Sequence, residues 1–174
     1  MQQAIENSFP QIVGGTCLER LTTSFEIFDN DSDPRRCYVR KNLNEQVHFA
    51  VKNPRNIEIH FLAIDKCIFT DLGPSRCDCA VFTESDFCFL EIKFSKKLGQ
   101  RKRARETAQK QLQNTIYEFI KANISFHRLQ LKAIICIVGN NSYPVARAES
   151  LNAVVDFLDK FNAELLVGNE ITLL

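Results

Sequence analysis

The chain has no tryptophan and one methionine, and it contains no long apolar run. Because a membrane-spanning helix needs roughly 20 consecutive apolar residues, no membrane association is expected. Residues 1–6 are polar and lack the pattern of a secretory signal peptide, which predicts a cytoplasmic protein. No repeat, low-complexity stretch or linker divides the 174 residues. That length is typical of one domain, since domains commonly run to roughly 100–200 residues.

The chain also lacks an excess of either charge, because its formal net charge is only +1. Its basic residues are nevertheless unevenly distributed. Six of them fall within ten positions: Lys96, Lys97, Arg101, Lys102, Arg103 and Arg105. Such a run is ordinarily a solvated loop and helix start. The alternative is that it contacts nucleic-acid phosphates, which would set affinity and salt dependence rather than sequence choice.

A recognisable disulfide or zinc pattern is missing as well. The seven cysteines are Cys17, Cys37, Cys67, Cys77, Cys79, Cys88 and Cys136. Their odd number, the lack of a secretory signal and their apolar neighbours argue against a disulfide framework. Their spacings match no common zinc site. We therefore expect free, partly buried thiols that pack as small apolar side chains.

Hydrophobic periodicity predicts an α/β fold, with a central mixed β-sheet flanked by helices on both faces. The predicted strands are residues 57–68, 76–82, 87–94 and 129–138, and the predicted helices are residues 42–52, 102–121 and 148–161. The second and third strands are expected to pair as a hairpin. The long helix is expected to cross over to the fourth strand in the right-handed sense. Residues 164–174 are predicted to form a small hairpin around Gly168.

Side chains alternate between the two faces of a strand, so Glu91 and Lys93 share one face. If the hairpin forms, Asp78 is brought beside them. Two adjacent carboxylates repel each other unless a cation lies between them, and Mg²⁺ or Mn²⁺ with its preference for oxygen ligands satisfies this. The carbonyl of Ile92 would add a further ligand, and Lys93 would hold the attacking water. The alternative is that these residues form an ordinary solvated strand face.

Two short strings carry a resemblance to a known family. They are Arg76-Cys77-Asp78-Cys79-Ala80-Val81-Phe82 and Phe89-Leu90-Glu91-Ile92-Lys93-Phe94. An Asp on one strand and Glu-x-Lys on the next, before a helix and another strand, resembles the PD-(D/E)XK superfamily of restriction-endonuclease-like nucleases. The resemblance implies one nuclease-like domain over residues 1–174, with a restriction-endonuclease-like core near residues 42–138. Cys77 replaces the family's Pro, and no cysteine cluster matches the iron–sulfur site of Cas4-like members.

The helix after the Glu-x-Lys strand adds a second likeness. Gln113 and Tyr117 are four residues apart on one helix face and are similar to the Gln-x-x-x-Tyr element of the RecB-like branch. By this resemblance they would orient Lys93 or contact the nucleic-acid backbone; otherwise they border the apolar stripe of their helix. Glu45 is the counterpart of the family's first-helix acid, and hence a further metal ligand, or else it caps a helix that starts at Asn42.

The resemblance implies an Mg²⁺-dependent or Mn²⁺-dependent enzyme that hydrolyses phosphodiester bonds of DNA, with RNA as the less favoured substrate. Small domains of this kind act in bacterial DNA processing or phage defence. A homodimer or a partner protein would supply specificity, because no targeting domain is evident. The alternative is a catalytically idle module of the same fold that binds nucleic acid or a partner protein, with residues 164–174 as an interface strand.

Overall fold

The computed structural model describes residues 1–30, 35–69, 73–95, 98–138, 144–148 and 150–174. Within these ranges the chain is an α/β protein with two mixed sheets and three α-helices. The helices are α1 (Gln2–Ser8), α2 (Leu98–Lys121) and α3 (Leu151–Phe161), and a 3₁₀ turn lies at Pro10–Ile12. The strands are β1 (Leu18–Leu21), β2 (Phe25–Asp29), β3 (Cys37–Val39), β4 (Phe49–Lys52), β5 (Ile59–Ala63), β6 (Cys79–Phe82), β7 (Asp86–Phe94), β8 (Gln130–Val138), β9 (Ala146–Arg147), β10 (Ala163–Val167) and β11 (Glu170–Thr172).

The larger sheet has seven strands in the order β1-β5-β6-β7-β8-β10-β9. Strands β6 and β7 pair antiparallel, with Cys79 opposite Leu90, which confirms the predicted hairpin. Strands β7 and β8 pair parallel over nine residues, and helix α2 makes the crossover between them. Parallel strands need such a long connection, so the order of strand, helix and strand in the sequence already implied this pairing.

The two faces of this sheet are covered differently. On one face, Phe87 and Phe89 join a core to which all three helices contribute, including Phe119 of α2. On the other face, Leu90 and Ile134 pack against the second sheet, whose strand order is β11-β4-β2-β3. The prediction of helices on both faces is therefore wrong. Strands β2, β3 and β4 from the first 52 residues, together with β11 near the C-terminal end, form the second cover.

Residues 42–52 do not form the predicted helix. They form a turn followed by strand β4, whose residues Phe49 to Val51 are buried. A short apolar run fits helix and strand alike, and here pairing with β2 and β11 decides the outcome. Glu45 nonetheless behaves as a capping acid, because its carboxylate accepts hydrogen bonds from the backbone N–H groups of Lys41 and Asn42 at 3.1 and 3.2 Å.

The C-terminal residues form two strands, as predicted, but these do not pair as a hairpin. Strand β10 runs parallel to β8 in the larger sheet. Strand β11 runs parallel to β4 in the smaller sheet. The segment around Gly168 therefore carries the chain from one sheet to the other. Sequence periodicity could not distinguish this crossing from a local turn, because both contain two short strands separated by Gly168 and Asn169.

The expectation of seven free thiols is wrong for one pair. Cys17 and Cys67 form a disulfide that joins the start of β1 to the turn after β5. The other five cysteines are free and buried, as expected. The pair forms because β1 and β5 are antiparallel neighbours, which brings together two cysteines 50 residues apart. No helix in the described ranges is both long and apolar enough to cross a membrane.

Candidate active site

Four residues that the sequence predicts for the site lie together where β6 begins and β7 ends, at one edge of the larger sheet formed by the strand ends. Asp78 directly precedes β6, and continuing the register from Cys79 and Leu90 places it opposite Glu91. Its Oδ2 accepts a hydrogen bond from the backbone N–H of Ile92 at 2.6 Å. Lys93 follows on the same face as Glu91, and its ammonium contacts Glu91 Oε1. The fold thus brings Asp78, Glu91, Ile92 and Lys93 into one cluster.

Glu91 is the most buried charged group of this cluster, with none of its surface exposed. Its Oε1 contacts the ammonium of Lys93, whereas among the described residues its Oε2 accepts no hydrogen bond. Burial, followed by repulsion from Asp78, raises the pKa of Glu91 well above its usual value, while Lys93 opposes the shift. A buried carboxylate with one oxygen unsatisfied is costly unless something else binds it.

Asp78 experiences a similar environment. Burial is the main cause that raises its pKa to about 7, and repulsion from Asp29 comes next. The hydrogen bond from Ile92 and the charge of Lys93 act in the opposite direction, and Asp65 adds a smaller repulsion. Near neutral pH, the proton of Asp78 is therefore held only weakly, and a cation at this position would displace it.

Asp29 and Asp65 are the two acidic residues that the sequence reasoning missed. Asp29 ends strand β2 of the smaller sheet, and Asp65 lies just after β5. Both act electrostatically on Asp78. The sequence offered little to identify them, since Asp29 begins a polar stretch typical of a loop. Only the packing of the smaller sheet on the larger one brings the charge of Asp29 close to Asp78.

The donor set fits a hard divalent cation. Two carboxylates with raised pKa values face each other, and the buried Oε2 of Glu91 accepts no hydrogen bond from the described residues. Within the described ranges, no group of three or more His, Cys, Asp or Glu side chains is arranged around a common metal position. A bound ion would therefore take these two carboxylates, a backbone oxygen such as that of Ile92, and several waters, which is how proteins commonly bind Mg²⁺.

Helix α2 contacts this edge through residues other than the predicted ones. Thr115 accepts a hydrogen bond from the backbone N–H of Cys77 at 2.8 Å, and Gln111 donates to the carbonyl of Arg76 at 2.7 Å. Gln113 instead donates to Asp156 of α3 at 2.5 Å, and Tyr117 is 60% exposed. Among the described contacts, neither reaches Asp78, Glu91 or Lys93, so the expected role in orienting Lys93 gains no support from their positions.

Glu45 is also held elsewhere. Its carboxylate is taken up by Asn42 and Lys41, and this hydrogen bonding lowers its pKa. The acidic side chain that acts on both Asp78 and Glu91 is Asp29, which comes from a strand rather than from the expected helix. Asp29, and not Glu45, is therefore the additional acid whose charge acts on Asp78 and Glu91. Glu45 lies on a neighbouring loop.

A groove lies between α2 and α3, and the acids Glu106 and Asp156 line it together with basic residues. Its volume is about 990 Å³, and Arg101, Lys102 and Arg105 line one wall. Ile135 forms part of its floor and is the direct ladder neighbour of Glu91. Arg103 is exposed on the same helix. Lys96 and Lys97, the remaining members of the predicted basic run, lie outside the described residues. Part of the basic run thus lines a groove whose floor residue Ile135 is next to Glu91 in the sheet.

No protein-family model, curated protein or solved structure matches this chain. The function is therefore inferred from the cluster of Asp78, Glu91 and Lys93 and from the basic groove beside it.

Proposed function

We propose that this chain is a metal-dependent nuclease with a restriction-endonuclease-like core, acting on DNA in the cytoplasm. The observation that carries the proposal is the convergence of Asp78, Glu91 and Lys93 at one sheet edge. The two carboxylates repel each other in a partly desolvated place. Strongly perturbed carboxylates of this kind cluster at functional sites.

Each residue has a definite task in the proposed reaction. Asp78 and Glu91 hold Mg²⁺ or Mn²⁺, and the carbonyl of Ile92 adds a ligand. When bound, the ion lowers the pKa of a water molecule and stabilises the charge that develops on the phosphate. Lys93 is 24% exposed, so its ammonium can leave Glu91 and orient the attacking water toward the phosphorus. Asp29 and Asp65 raise the local negative charge and so strengthen cation binding.

The groove of Arg101, Lys102 and Arg105 supports a nucleic-acid substrate. Its three basic side chains suit the phosphate backbone although Glu106 and Asp156 also line it, and Ile135 in its floor is the ladder neighbour of Glu91. A strand held there would place a phosphodiester at the edge of the sheet, next to the proposed metal position. Contacts of this kind give affinity that falls with added salt, and they do not by themselves select a sequence.

The proposal is tested by incubating the purified protein with single-stranded and double-stranded DNA and with RNA, with Mg²⁺, Mn²⁺ or a chelator. Asp78→Asn, Glu91→Gln and Lys93→Met are compared with Asp159→Asn, which alters an exposed acid on α3. Mn²⁺ binding is measured in parallel by calorimetry. We expect cation-dependent cleavage that the first three changes abolish and the control retains. Unchanged cleavage in Asp78→Asn and Lys93→Met would refute the site.

A second candidate is an idle module of the same fold that binds nucleic acid through the groove. The contact between Lys93 and Glu91 favours it, because the ammonium already occupies the place where a cation would neutralise Glu91. Absence of Mn²⁺ binding, together with salt-sensitive DNA binding that depends on Arg101 and Arg105, would decide for this candidate.

We also propose that a homodimer or a partner protein supplies specificity. Helix α3 presents three exposed apolar side chains at helical spacing, Leu151, Val155 and Leu158. An apolar stripe on a surface helix is typical of contacts between proteins. Sedimentation of the wild type and of Leu151→Glu tests this directly, since a dimer held by the stripe would dissociate in the variant and a monomeric wild type would exclude self-association.

A further inference from the structure

The disulfide between Cys17 and Cys67 is more exposed to solvent than the other cysteines. Both residues are partly exposed, whereas the five free thiols are buried. Cys17 immediately precedes β1, and Cys67 lies in the turn after β5. A reagent in solution can therefore reach this sulfur pair without unfolding the core, which distinguishes it from every other cysteine of the chain.

Arg36 contacts both sulfurs of the pair. Its Nη1 lies 2.8 Å from Cys67 Sγ and 3.2 Å from Cys17 Sγ. Its Nη2 donates to Thr16 Oγ1 at 2.5 Å, and its guanidinium lies 4.5 Å from the centroid of the Tyr38 ring. These contacts hold a fixed positive charge at the bond. A neighbouring cation stabilises a thiolate, and a more stable thiolate is a better leaving group in disulfide exchange.

The turn that carries Cys67 also holds Asp78. The backbone N–H groups of Ile64 and Asp65 both donate to the carbonyl of Asp78, at 2.9 and 3.2 Å. The N–H of Cys67 in turn donates to the carbonyl of Ile64 at 3.3 Å. The disulfide therefore anchors, through one short turn, the backbone position of a carboxylate in the candidate active site. Opening the bond would release that anchor while leaving the strands of the sheet in place.

We infer that Cys17 and Cys67 form a thiol-exchange site, activated by Arg36, whose oxidation state governs how firmly Asp78 is held. The partner is a dithiol reductant. One of its thiolates attacks a protein sulfur, the protein S–S bond breaks, and the departing thiolate forms beside Arg36. The second thiol of the reductant then resolves the mixed disulfide. Two electrons and two protons pass to the protein, which gains two thiols, and the reductant becomes a disulfide. The link to Asp78 rests on the proposed function, whereas the exchange itself does not.

The exchange is tested with dithiothreitol as the probe. The native protein is reduced for increasing times, blocked with N-ethylmaleimide and analysed by peptide mass spectrometry. We expect labelling at Cys17 and Cys67 while the buried cysteines stay unlabelled. Arg36→Gln should slow reduction about tenfold, in line with the loss of a thiolate-stabilising cation. Arg55→Gln, an exposed site elsewhere, is the matched control. Reduction of Arg36→Gln at the wild-type rate, or no labelling at this pair, overturns the inference.

The link to Asp78 is tested by Mn²⁺ calorimetry on the oxidised protein, on reduced and desalted protein, and on the double variant Cys17→Ser/Cys67→Ser. Circular dichroism establishes that each form is folded at the assay temperature. We expect about fivefold weaker Mn²⁺ binding in both opened forms, a coupling of ordinary size between two sites. Equal affinity in all three forms overturns the link. If no form binds Mn²⁺, the metal site proposed above fails, while the labelling kinetics still decide the exchange.

Discussion

Strand β7 carries a carboxylate that contacts a lysine near each of its ends, and the two pairs differ in how fully their charges are satisfied. At the first end, Asp86 contacts Lys132 of β8, and its other oxygen accepts from Ser85 Oγ at 2.6 Å. Its backbone N–H donates to Thr83 Oγ1 at 3.0 Å. At the second end, Glu91 contacts Lys93 through Oε1, but its Oε2 accepts no hydrogen bond from the described residues. The two ends of one strand therefore differ in how completely their charged groups are paired.

The difference shows how a structural pair can be told from a functional one. At Asp86 both carboxylate oxygens have a partner, Lys132 for one and Ser85 for the other. We call this the closed end of β7. At Glu91 a second carboxylate, Asp78, faces the first, and burial disfavours the charge of both. We call this the open end of β7. Proteins keep such unfavourable arrangements where a ligand compensates for them. The comparison therefore predicts that changes at the two ends will affect different measurable properties.

The largest expected effect is on cleavage. Asp78→Asn and Lys93→Met should each lower the cleavage rate roughly 10³-fold, because metal-ion stabilisation of the transition state contributes several kcal/mol. Changes at Asp86 and Lys132 should leave the rate of the folded fraction within about twofold of wild type. Initial rates on a fluorescent substrate with Mn²⁺ measure this. An equal loss of rate at both ends would remove the distinction between them.

The second effect is on stability, and it should be larger at the Asp86 end of β7 than at the Glu91 end. Lys132→Met leaves Asp86 buried with an uncompensated charge, so it should lower the free energy of unfolding by about 3 kcal/mol. Lys93→Met at the open end should cost less, because burial and repulsion from Asp78 already raise the pKa of Glu91 and disfavour its charged form there. Urea unfolding followed by circular dichroism compares the two variants. A larger loss for Lys93→Met would mean that Glu91 and Lys93 are the structural pair.

The third effect is on the pH dependence of stability. The pKa of Asp78 is raised to about 7 in the folded protein, so the folded state holds this proton more tightly than the unfolded chain does. Stability should therefore fall as pH rises from about 4 to about 7, by at most about 1.4 kcal/mol per pH unit for one group. Asp78→Asn should flatten this slope, and Mg²⁺ should restore stability at pH 8. Urea unfolding at several pH values provides the measurement, and an unchanged slope in Asp78→Asn would contradict the assignment.

The smallest effects concern the support of the open end by helix α2. Thr115→Val loses the hydrogen bond to Cys77 next to Asp78 and should cost about 1 kcal/mol of stability with weaker Mn²⁺ binding. Gln113→Ala acts on α3 instead and should change cleavage by less than about twofold. Calorimetry and cleavage assays on both variants test this. A strong loss of cleavage in Gln113→Ala alone would restore the role expected from the sequence.

Sequence patterns were reliable where an element was long, because a long element repeats the same signal several times. Helix α2 shows a clear helical period, β8 is a continuous apolar run, and the order of β7, α2 and β8 requires a crossover. The pairing of Asp78 with Glu91 followed from the same reasoning, because a short hairpin leaves few registers. The first 52 residues were poorly predicted, since their short apolar runs suit helix and strand equally.

The sequence by itself determined the hairpin, the helix after it and the side-chain alternation that puts Glu91 and Lys93 on one face. These features depend on periodicity within a few neighbouring residues. Only the tertiary structure decided that a second sheet covers the other face, that Asp29 acts on Asp78, that Gln113 faces α3, and that Cys17 meets Cys67. Such contacts join residues far apart along the chain, and their partners are selected by packing and burial, which no local pattern encodes.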